Sequence, residues 1–529
     1  MSGVRKKKKV NYANMFAVIL FVALIVNLAF YWLPETIFGL PVKKVDLLAD
    51  IRILPEDNSI ETEALLAEDM LQENNTTENE FNKEGNTIMT FSRQDDNSSG
   101  DATLSPPDPI NKTSGSTTQD SHATGRTNNK DSLSTEADKT LANTFNDDKN
   151  NTNYLFNKNI EDFTTGRTGL RHFFAALNNI NSLGRPVRIA FVGDSFIEGD
   201  ILVADFRAKM QEHFGGRGVG FIPVTSNVAQ YRPTIKHTAS GWKTYSIINN
   251  KKRKYVISGL QFEPVSENAS IGFQTVDMYP GLEEVSTIKF IYSKNENSGI
   301  LLRSDDDTTY HELPPTEKIT QYEIQGQFTK GTLLLKDALG LNALGIALED
   351  NHGVVVDNFA LRGNSGIIMS QLDSKSCREL QEIRPYDLIV LQYGLNVASD
   401  SVREYGWYRN RMITVIEHVQ DCFPGADILI LGVSDRSHKR GGAYSTMPAV
   451  KSLLRAQRQT AKEAEVVFWS TFAAMGGQNS MVKYVNSNWA SKDYTHLSFR
   501  GGREVANALY DAIITEKGMY DGDERLIER

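Results

Sequence analysis

The pattern of apolar and polar positions divides the chain into stretches of different kind. Residues 15–33 are apolar almost without interruption, Asn27 being the clearest exception. A run of that length crosses a bilayer core as a helix. From about residue 55 to 152, apolar residues stand isolated among Asn, Asp, Glu, Ser and Thr, and no period is sustained. Such a segment cannot bury enough apolar surface to offset its ordering entropy, so a disordered tether is expected there. Its Glu-rich part, 61–72, is expected to be transiently helical at most.

Periodic sequence resumes near Tyr154. Residues 169–183 set Leu170, Phe173, Phe174 and Leu177 on one side of a helix. The run 187–190 has strand length, and 201–214 has helical spacing. Between these two lies Phe191-Val192-Gly193-Asp194-Ser195-Phe196. Residues 214–221 are too glycine-dense for regular structure and lack the lysine of a phosphate-binding loop, so they read as a shaped loop. From about 225 to 349 helical periodicity is lost. Short alternating runs occur at 255–262, 270–276, 287–292, 299–303, 322–328, 331–336 and 343–348, with turn residues between them. That pattern predicts a β-sandwich.

Alternation of strand and helix then returns. Strands are expected at 354–356, 387–392, 427–431 and 466–469, and helices at 367–383, 403–419, 450–464 and 501–514. Residues 434–444 read as a polar loop, and 489–496 as another. This order predicts an α/β protein with a parallel sheet covered by helices on both faces, interrupted by an inserted β-domain. In such sheets ligands bind beyond the C-terminal strand ends. The expected organisation is a basic tail (1–14), a transmembrane helix (15–33), a disordered linker (55–153), a first α/β part (154–224), the β-insert (225–350) and a second α/β part (351–520).

Charge and composition refine this picture. An apolar fraction of 40% is low enough that part of the chain is expected not to fold. The net charge of −9 argues against nucleic acid as a partner. Arg5, Lys6, Lys7, Lys8 and Lys9 precede the apolar run, and Tyr31 and Trp32 close it, which orients the anchor with its N-terminus in the cytoplasm. The competing reading is a cleaved signal peptide, for which the run is overlong and shows no small-residue cleavage site before Pro34. No Cys lies near enough for a lipid anchor. The two cysteines, Cys377 and Cys422, lack zinc-site spacing. Two readings stand for them: buried free thiols, or one disulfide in an oxidising compartment.

Candidate chemistry gathers at the predicted strand ends. A serine nucleophile needs a base, a group that orients the base, and donors for the oxyanion. Ser195 sits where a buried strand is expected to turn into a helix; the plain alternative is a turn capped by Asp194 or Ser195. His496 has Asp493 three residues before it, a spacing that brings carboxylate and imidazole together; the alternative is a surface capping Asp beside an ordinary His. Asn396 follows an apolar strand and can donate to an oxyanion, or simply cap its turn. Gly366 can bring a backbone N–H close to a ligand, or serve a tight turn.

Taken together, these positions resemble the four blocks of the SGNH (GDSL-type) hydrolase family: Ser195 in Gly193-Asp194-Ser195, Gly366 in Arg362-Gly363-Asn364-Ser365-Gly366, Asn396 in Gly394-Leu395-Asn396, and His496 with Asp493. The resemblance spans about 169–515, with the β-insert interrupting it. It implies a flavodoxin-like three-layer α/β/α domain and an oxyanion hole formed by the N–H groups of Ser195 and Gly366 and the side chain of Asn396. Val397 departs from the family's usual Asp, and Phe196 from the Leu of many members; Gly363 competes with Gly366 as the block glycine, and spacing favours Gly366.

A narrower resemblance is to bacterial peptidoglycan O-acetylesterases. It rests on residues 193–200, the glycine-rich run and the placement of the insert, which in those enzymes looks like a carbohydrate-binding module. The resemblance implies a serine esterase acting on an O-acetylated glycan, with no metal or organic cofactor, and the anchor read at 15–33 makes it an inner-membrane, single-pass protein with its catalytic part extracytoplasmic (periplasmic). The rivals are an O-acetyltransferase partnered by a multi-span membrane acyltransferase, a lipase or thioesterase of the same family, and a non-catalytic polysaccharide-binding protein.

Overall fold

The computed structural model describes residues 153–305 and 307–527, together with two short paired strands, Thr36–Ile37 and Leu40–Pro41. Those two strands belong to a unit of their own, Met1–Glu68, and all the other described residues to Asp69–Arg529. The expected membrane helix at 15–33 and the expected tether lie outside the described residues. Among the described residues, no helix is long and apolar enough to cross a membrane.

The sheet that carries the candidate site has five parallel strands in the order Val354–Ala360, Val187–Gly193, Leu388–Gln392, Asp427–Gly432 and Val467–Ser470. A two-residue strand, Glu161–Asp162, adds an antiparallel edge that the apolar pattern did not announce. Val187–Gly193, Leu388–Gln392 and Asp427–Gly432 are buried along their whole length, as near-continuous apolar runs in a doubly covered parallel sheet should be. The helices fall into two groups in mutual contact. Arg171–Asn178, Val203–Phe214 and Phe499–Ile527 form one, and Ser374–Ile383, Gly406–Cys422 and Pro448–Glu463 the other. The register sets Gly193 beside both Ala360 and Gln392, so three loops leave the sheet at one level. Gly193 must be glycine, since a Cβ there would lie 2.7 Å from the Gln392 carbonyl oxygen.

Between the strands Val187–Gly193 and Val354–Ala360 the chain builds two antiparallel sheets. One runs Thr320–Phe328, Val285–Lys294, Asn342–Glu349, Leu260–Pro264, Trp242–Ser246; the other Asp307–Glu312, Gly299–Ser304, Lys330–Lys336, Ser270–Gln274, Lys236–Ser240. Phe262, Phe290 and Ile346 from the first share a core with Ile271, Ile300 and Leu333 from the second. Gly220–Ile222, inside the run read as a glycine loop, is a strand paired with Asn342–Glu349.

Buried charges join the two parts. Glu349 accepts from Arg188 at 2.8 Å, Lys289 at 2.9 Å and Arg384 at 2.7 Å, and Arg384 also pairs with Asp357 at 2.8 Å. Burial alone would raise the Glu349 pKa, but Arg384, Arg188 and Lys289 outweigh it and hold the carboxyl well below its ordinary value.

Other expectations change in detail. The helix expected at 367–383 is broken: a 3-10 turn, Ile367–Gln371, ends before Asp373, whose side chain caps Ser374–Ile383 through the Ser376 N–H at 2.9 Å. The expected polar loop at 434–444 holds a hairpin, Ser437–Arg440 with Ala443–Thr446. Cys377 and Cys422 are both buried and free.

Candidate active site

Ser195 lies two residues past the end of its strand, in a turn that Asp194 shapes by accepting the Phe196 N–H at 2.9 Å. The helix expected at 201–214 starts at Val203. Ser195 leads first into a single 3-10 turn, Glu198–Asp200. Asp200 anchors that turn from a left-handed backbone conformation, φ 69°. Its Oδ2 accepts from Thr234 Oγ1 at 2.6 Å, Arg232 Nε at 3.0 Å and Arg207 Nη1 at 3.1 Å, while its Oδ1 accepts from Asn358 Nδ2 at 2.7 Å. Burial works against this carboxylate's charge, and the guanidiniums of Arg207 and Arg232 overcome that and lower its pKa.

The structure brings His496 to Ser195. The distance from Ser195 Oγ to His496 Nε2 is 2.9 Å, and from His496 Nδ1 to Asp493 Oδ2 it is 2.6 Å. Asp493 Oδ1 accepts the backbone N–H of Thr495 at 2.8 Å and of His496 at 3.0 Å, so one carboxylate folds the loop and holds the ring. Burial raises the Asp493 pKa, and the bonds from His496 and these N–H groups outweigh it, for a net lowering. A carboxylate facing Nδ1 assigns the ring proton there and leaves Nε2 to accept from the serine hydroxyl. The hairpin that was read as a loop supports this segment. Ser437 N–H donates to the Tyr494 carbonyl at 3.0 Å, and the Tyr444 ring stacks on Tyr494 with centroids 3.6 Å apart.

Gly366 and Asn396 enter the same network, with their donors turned inward. Gly366 has φ 91°, and a Cβ there would lie 2.8 Å from the Tyr393 ring, so the position demands glycine. Its N–H donates to Asn364 Oδ1 at 2.8 Å. Asn396 Nδ2 donates to Asp194 Oδ2 at 2.8 Å and to the Asn364 carbonyl at 3.0 Å. The Ser195 N–H has no hydrogen-bond partner among the described residues. Gly363 makes no close approach at its Cβ position, and Gly366 is the glycine of the network. Burial pushes the Asp194 carboxyl up to about 6, against the lowering by the Phe196 N–H and His496.

Sequence reasoning missed two members. Asn364 bridges Gly366 and Asn396, and Asp194 ties the nucleophile turn to Asn396. The spacing Asn364-Ser365-Gly366 is that of an Asx-turn, a local signal sufficient to mark Asn364. Tyr408 closes the rear of this loop, its hydroxyl donating to the Ser365 carbonyl at 2.8 Å.

No family model matches the chain, and no curated protein does. Among solved structures, one described as a peptidoglycan O-acetylesterase in action is similar over 68% of this chain and 99% of its own, with 19% identity and a TM-score of 0.56. A family two carbohydrate esterase from Cellvibrio japonicus matches 54% of this chain and 98% of its own at 11% identity and TM-score 0.24. Est24, a carbohydrate acetylesterase from Sinorhizobium meliloti, matches 31% and 79% at 16% identity and TM-score 0.22. The last two are too distant to carry an argument, and the first speaks for the fold. The fold is similar to that of the solved peptidoglycan O-acetylesterase, and Ser195, Gly366, Asn396 and His496 gather beyond the strand ends.

Proposed function

We propose that this chain is a membrane-anchored serine esterase that removes O-acetyl groups from a carbohydrate polymer of the cell envelope. The observation that carries the reading is the continuous path from Ser195 Oγ to His496 Nε2 to Asp493 Oδ2, at 2.9 and 2.6 Å. A serine hydroxyl is a weak nucleophile until a base takes its proton, and His496 is placed to do so. Ser195 attacks the acetyl carbonyl, and its proton passes to His496. Asp493 holds the imidazole and stabilises the imidazolium that forms. His496 then gives the proton to the departing sugar oxygen. Water enters and its oxygen attacks the acetyl carbonyl as His496 takes its proton; the bond to Ser195 Oγ breaks, His496 returns the proton to Oγ, and acetate leaves.

The oxyanion needs donors. The Ser195 N–H is unengaged among the described residues. Gly366 and Asn396 join it by turning from Asn364 as the acyl oxygen arrives, while Asp194 keeps its hold on Asn396. Hydrogen bonds of this kind often reach their final geometry only when the reacting group is present.

In this reading residues 15–33 hold the chain in the cytoplasmic membrane, N-terminus inside, and the tether lets the catalytic part range over the polymer outside. The insert at 225–350 serves as a carbohydrate-binding domain beside the site. The full-length chain in a neutral detergent should release acetate from O-acetylated glycan and from aryl acetate. No release from either sinks the esterase; acetyl transfer to a sugar acceptor that outpaces release makes it a transferase.

A further inference from the structure

The chain is acidic overall, at −9, yet the face around Ser195 carries unpaired positive charge. Lys251, Lys252 and Lys254 are exposed on the loop that joins the strands Trp242–Ser246 and Leu260–Pro264. None of the three has a side-chain ion pair or hydrogen bond among the described residues; Lys254 acts on the Asp373 carboxylate only through space and lines a pocket with Glu317 and Glu379. Arg253, between them, is engaged: it stacks on Tyr245 and pairs with Glu263. The loop sits at the strand-end side of the parallel sheet. A Cβ on Gly259 would lie 3.2 Å from Leu361, the residue just past Val354–Ala360, and the Tyr255 carbonyl accepts the N–H of the helix cap Asp373.

A second group lies on the other side of Ser195. Lys439 and Arg440 are exposed at the tip of the hairpin that comes after Asp427–Gly432, and Lys492 is exposed beside Asp493. These three also lack a side-chain partner among the described residues. The hairpin is fixed to the catalytic loops at several points. Besides the Tyr444–Tyr494 stack and the Ser437–Tyr494 bond, Arg436 donates to the Leu395 carbonyl, next to Asn396, at 3.3 Å. Three acids near the site are matched: Glu198 pairs with Arg362, Asp400 with His438 and Asp493 with His496, while Asp194 is buried. Leu361, against which the first loop packs, follows Val354–Ala360, and the hairpin follows Asp427–Gly432; these two strands are three positions apart in the sheet, about 14 Å at the usual strand spacing, with the Ser195 strand between them. That span suits a polymer better than a single small ester.

We infer that the polymer is an anionic glycan, bearing carboxylate or phosphate groups, held by Lys251, Lys252 and Lys254 on one side of Ser195 and by Lys439, Arg440 and Lys492 on the other. This rests on the esterase reading and names the substrate class of the same site. Charges placed on both flanks of a cleft raise the local concentration of an oppositely charged substrate, and salt removes the effect.

The test uses the full-length chain in neutral detergent with chemically O-acetylated polygalacturonate, phosphomannan and neutral mannan, and aryl acetate alongside. Between about 0.01 M and about 1 M salt the screening length falls from about 30 to about 3 Å. Over that range kcat/KM on at least one acidic glycan should fall about tenfold or more, with mannan little affected. Whichever acidic polymer shows the effect identifies carboxylate or phosphate as the group recognised. The paired substitutions Lys251→Glu with Lys252→Glu, and separately Lys439→Glu with Arg440→Glu, should each lower the acidic-to-neutral ratio of kcat/KM about fivefold at low salt and flatten its salt dependence. The Ser195→Ala chain should be retarded in gels containing the acidic polymer and not in gels containing mannan, whatever its turnover. Equal turnover and equal salt response on acidic and neutral polymers, with aryl acetate cleaved, overturns the inference. No cleavage of aryl acetate or of any polymer overturns the esterase reading, while the gels still test the charge recognition.

Discussion

Asp194→Asn exchanges one carboxylate oxygen for an amide nitrogen at a position only 2% exposed. In the native chain the two oxygens accept from different donors, Phe196 N–H at 2.9 Å and Asn396 Nδ2 at 2.8 Å. The variant keeps one acceptor. If it serves Phe196, the new N–H2 group faces the N–H2 of Asn396, and Asn396 must turn away. Losing one oxyanion donor lowers kcat by roughly 10²–10³. Stability should move differently. Burial pushes the Asp194 carboxyl from 3.8 to about 6, so carrying its charge at pH 8 costs the native state about 3 kcal/mol. The uncharged amide escapes that term and meets instead a misplaced donor worth about 1–3 kcal/mol. The net change at pH 8 is therefore small. The sign with pH comes from linkage: the folded chain keeps a proton that the unfolded chain has released between pH 3.8 and about 6. The wild type should lose about 3 kcal/mol relative to the variant as pH rises through that window, with no further loss above it. Steady-state acetate release at pH 8 and urea unfolding at several pH values from 4 to 8 measure both. A variant with kcat within about twofold of wild type, or unfolding curves whose difference does not change with pH, would refute the reasoning.

The remaining expectations are simpler. Asn396→Ala should lower kcat on aryl acetate about 10²–10³-fold with little change in KM; a rise in KM alone would mean that Asn396 only binds substrate. Arg384→Ala leaves the buried Asp357 carboxylate without its cation and takes one of three from Glu349, and should reduce unfolding free energy by about 3–5 kcal/mol in urea titrations; an unshifted midpoint would deny that this network joins sandwich to sheet. Cys377 and Cys422 should ignore a thiol reagent in the native chain and both react after unfolding without reductant, and silence after unfolding would mean a disulfide.

Much of the fold was legible because burial writes itself into the apolar pattern. Val187–Gly193 and Leu388–Gln392 read as buried strands, and six of the seven runs assigned to the sandwich fall on an observed strand, since one face of each packs inward; the seventh, 255–262, reaches only three residues into Leu260–Pro264. Elements that bury little left no such trace. Lys236–Ser240 and Asp307–Glu312 are edge strands with mostly exposed side chains, and the hairpin Ser437–Thr446 passes through His438-Lys439-Arg440-Gly441-Gly442 with its backbone alone making the ladder. The last helix was expected to stop at 514 but runs to Ile527, through a charged stretch with too few apolar residues to show a period.

The site obeyed the same logic. Ser195, Asp493 and His496 were readable because short spacings and strand ends constrain where such groups can meet. The state of the oxyanion donors was not. Whether Asn396 faces solvent or Asp194 depends on residues 202 positions apart in sequence, and no local pattern encodes that. The basic run at 251–254 also passed unnoticed, because its relation to Ser195 exists only once the loop packs against Leu361.

The most direct test is acetate release from an O-acetylated glycan by the full-length chain and by its Ser195→Ala variant, with circular dichroism to show that both are folded. Wild type should release acetate, and the variant should fall by about 10³-fold or more, to the background of the uncatalysed reaction. A folded Ser195→Ala chain that releases acetate at a rate near that of wild type would contradict the assignment of Ser195 as nucleophile.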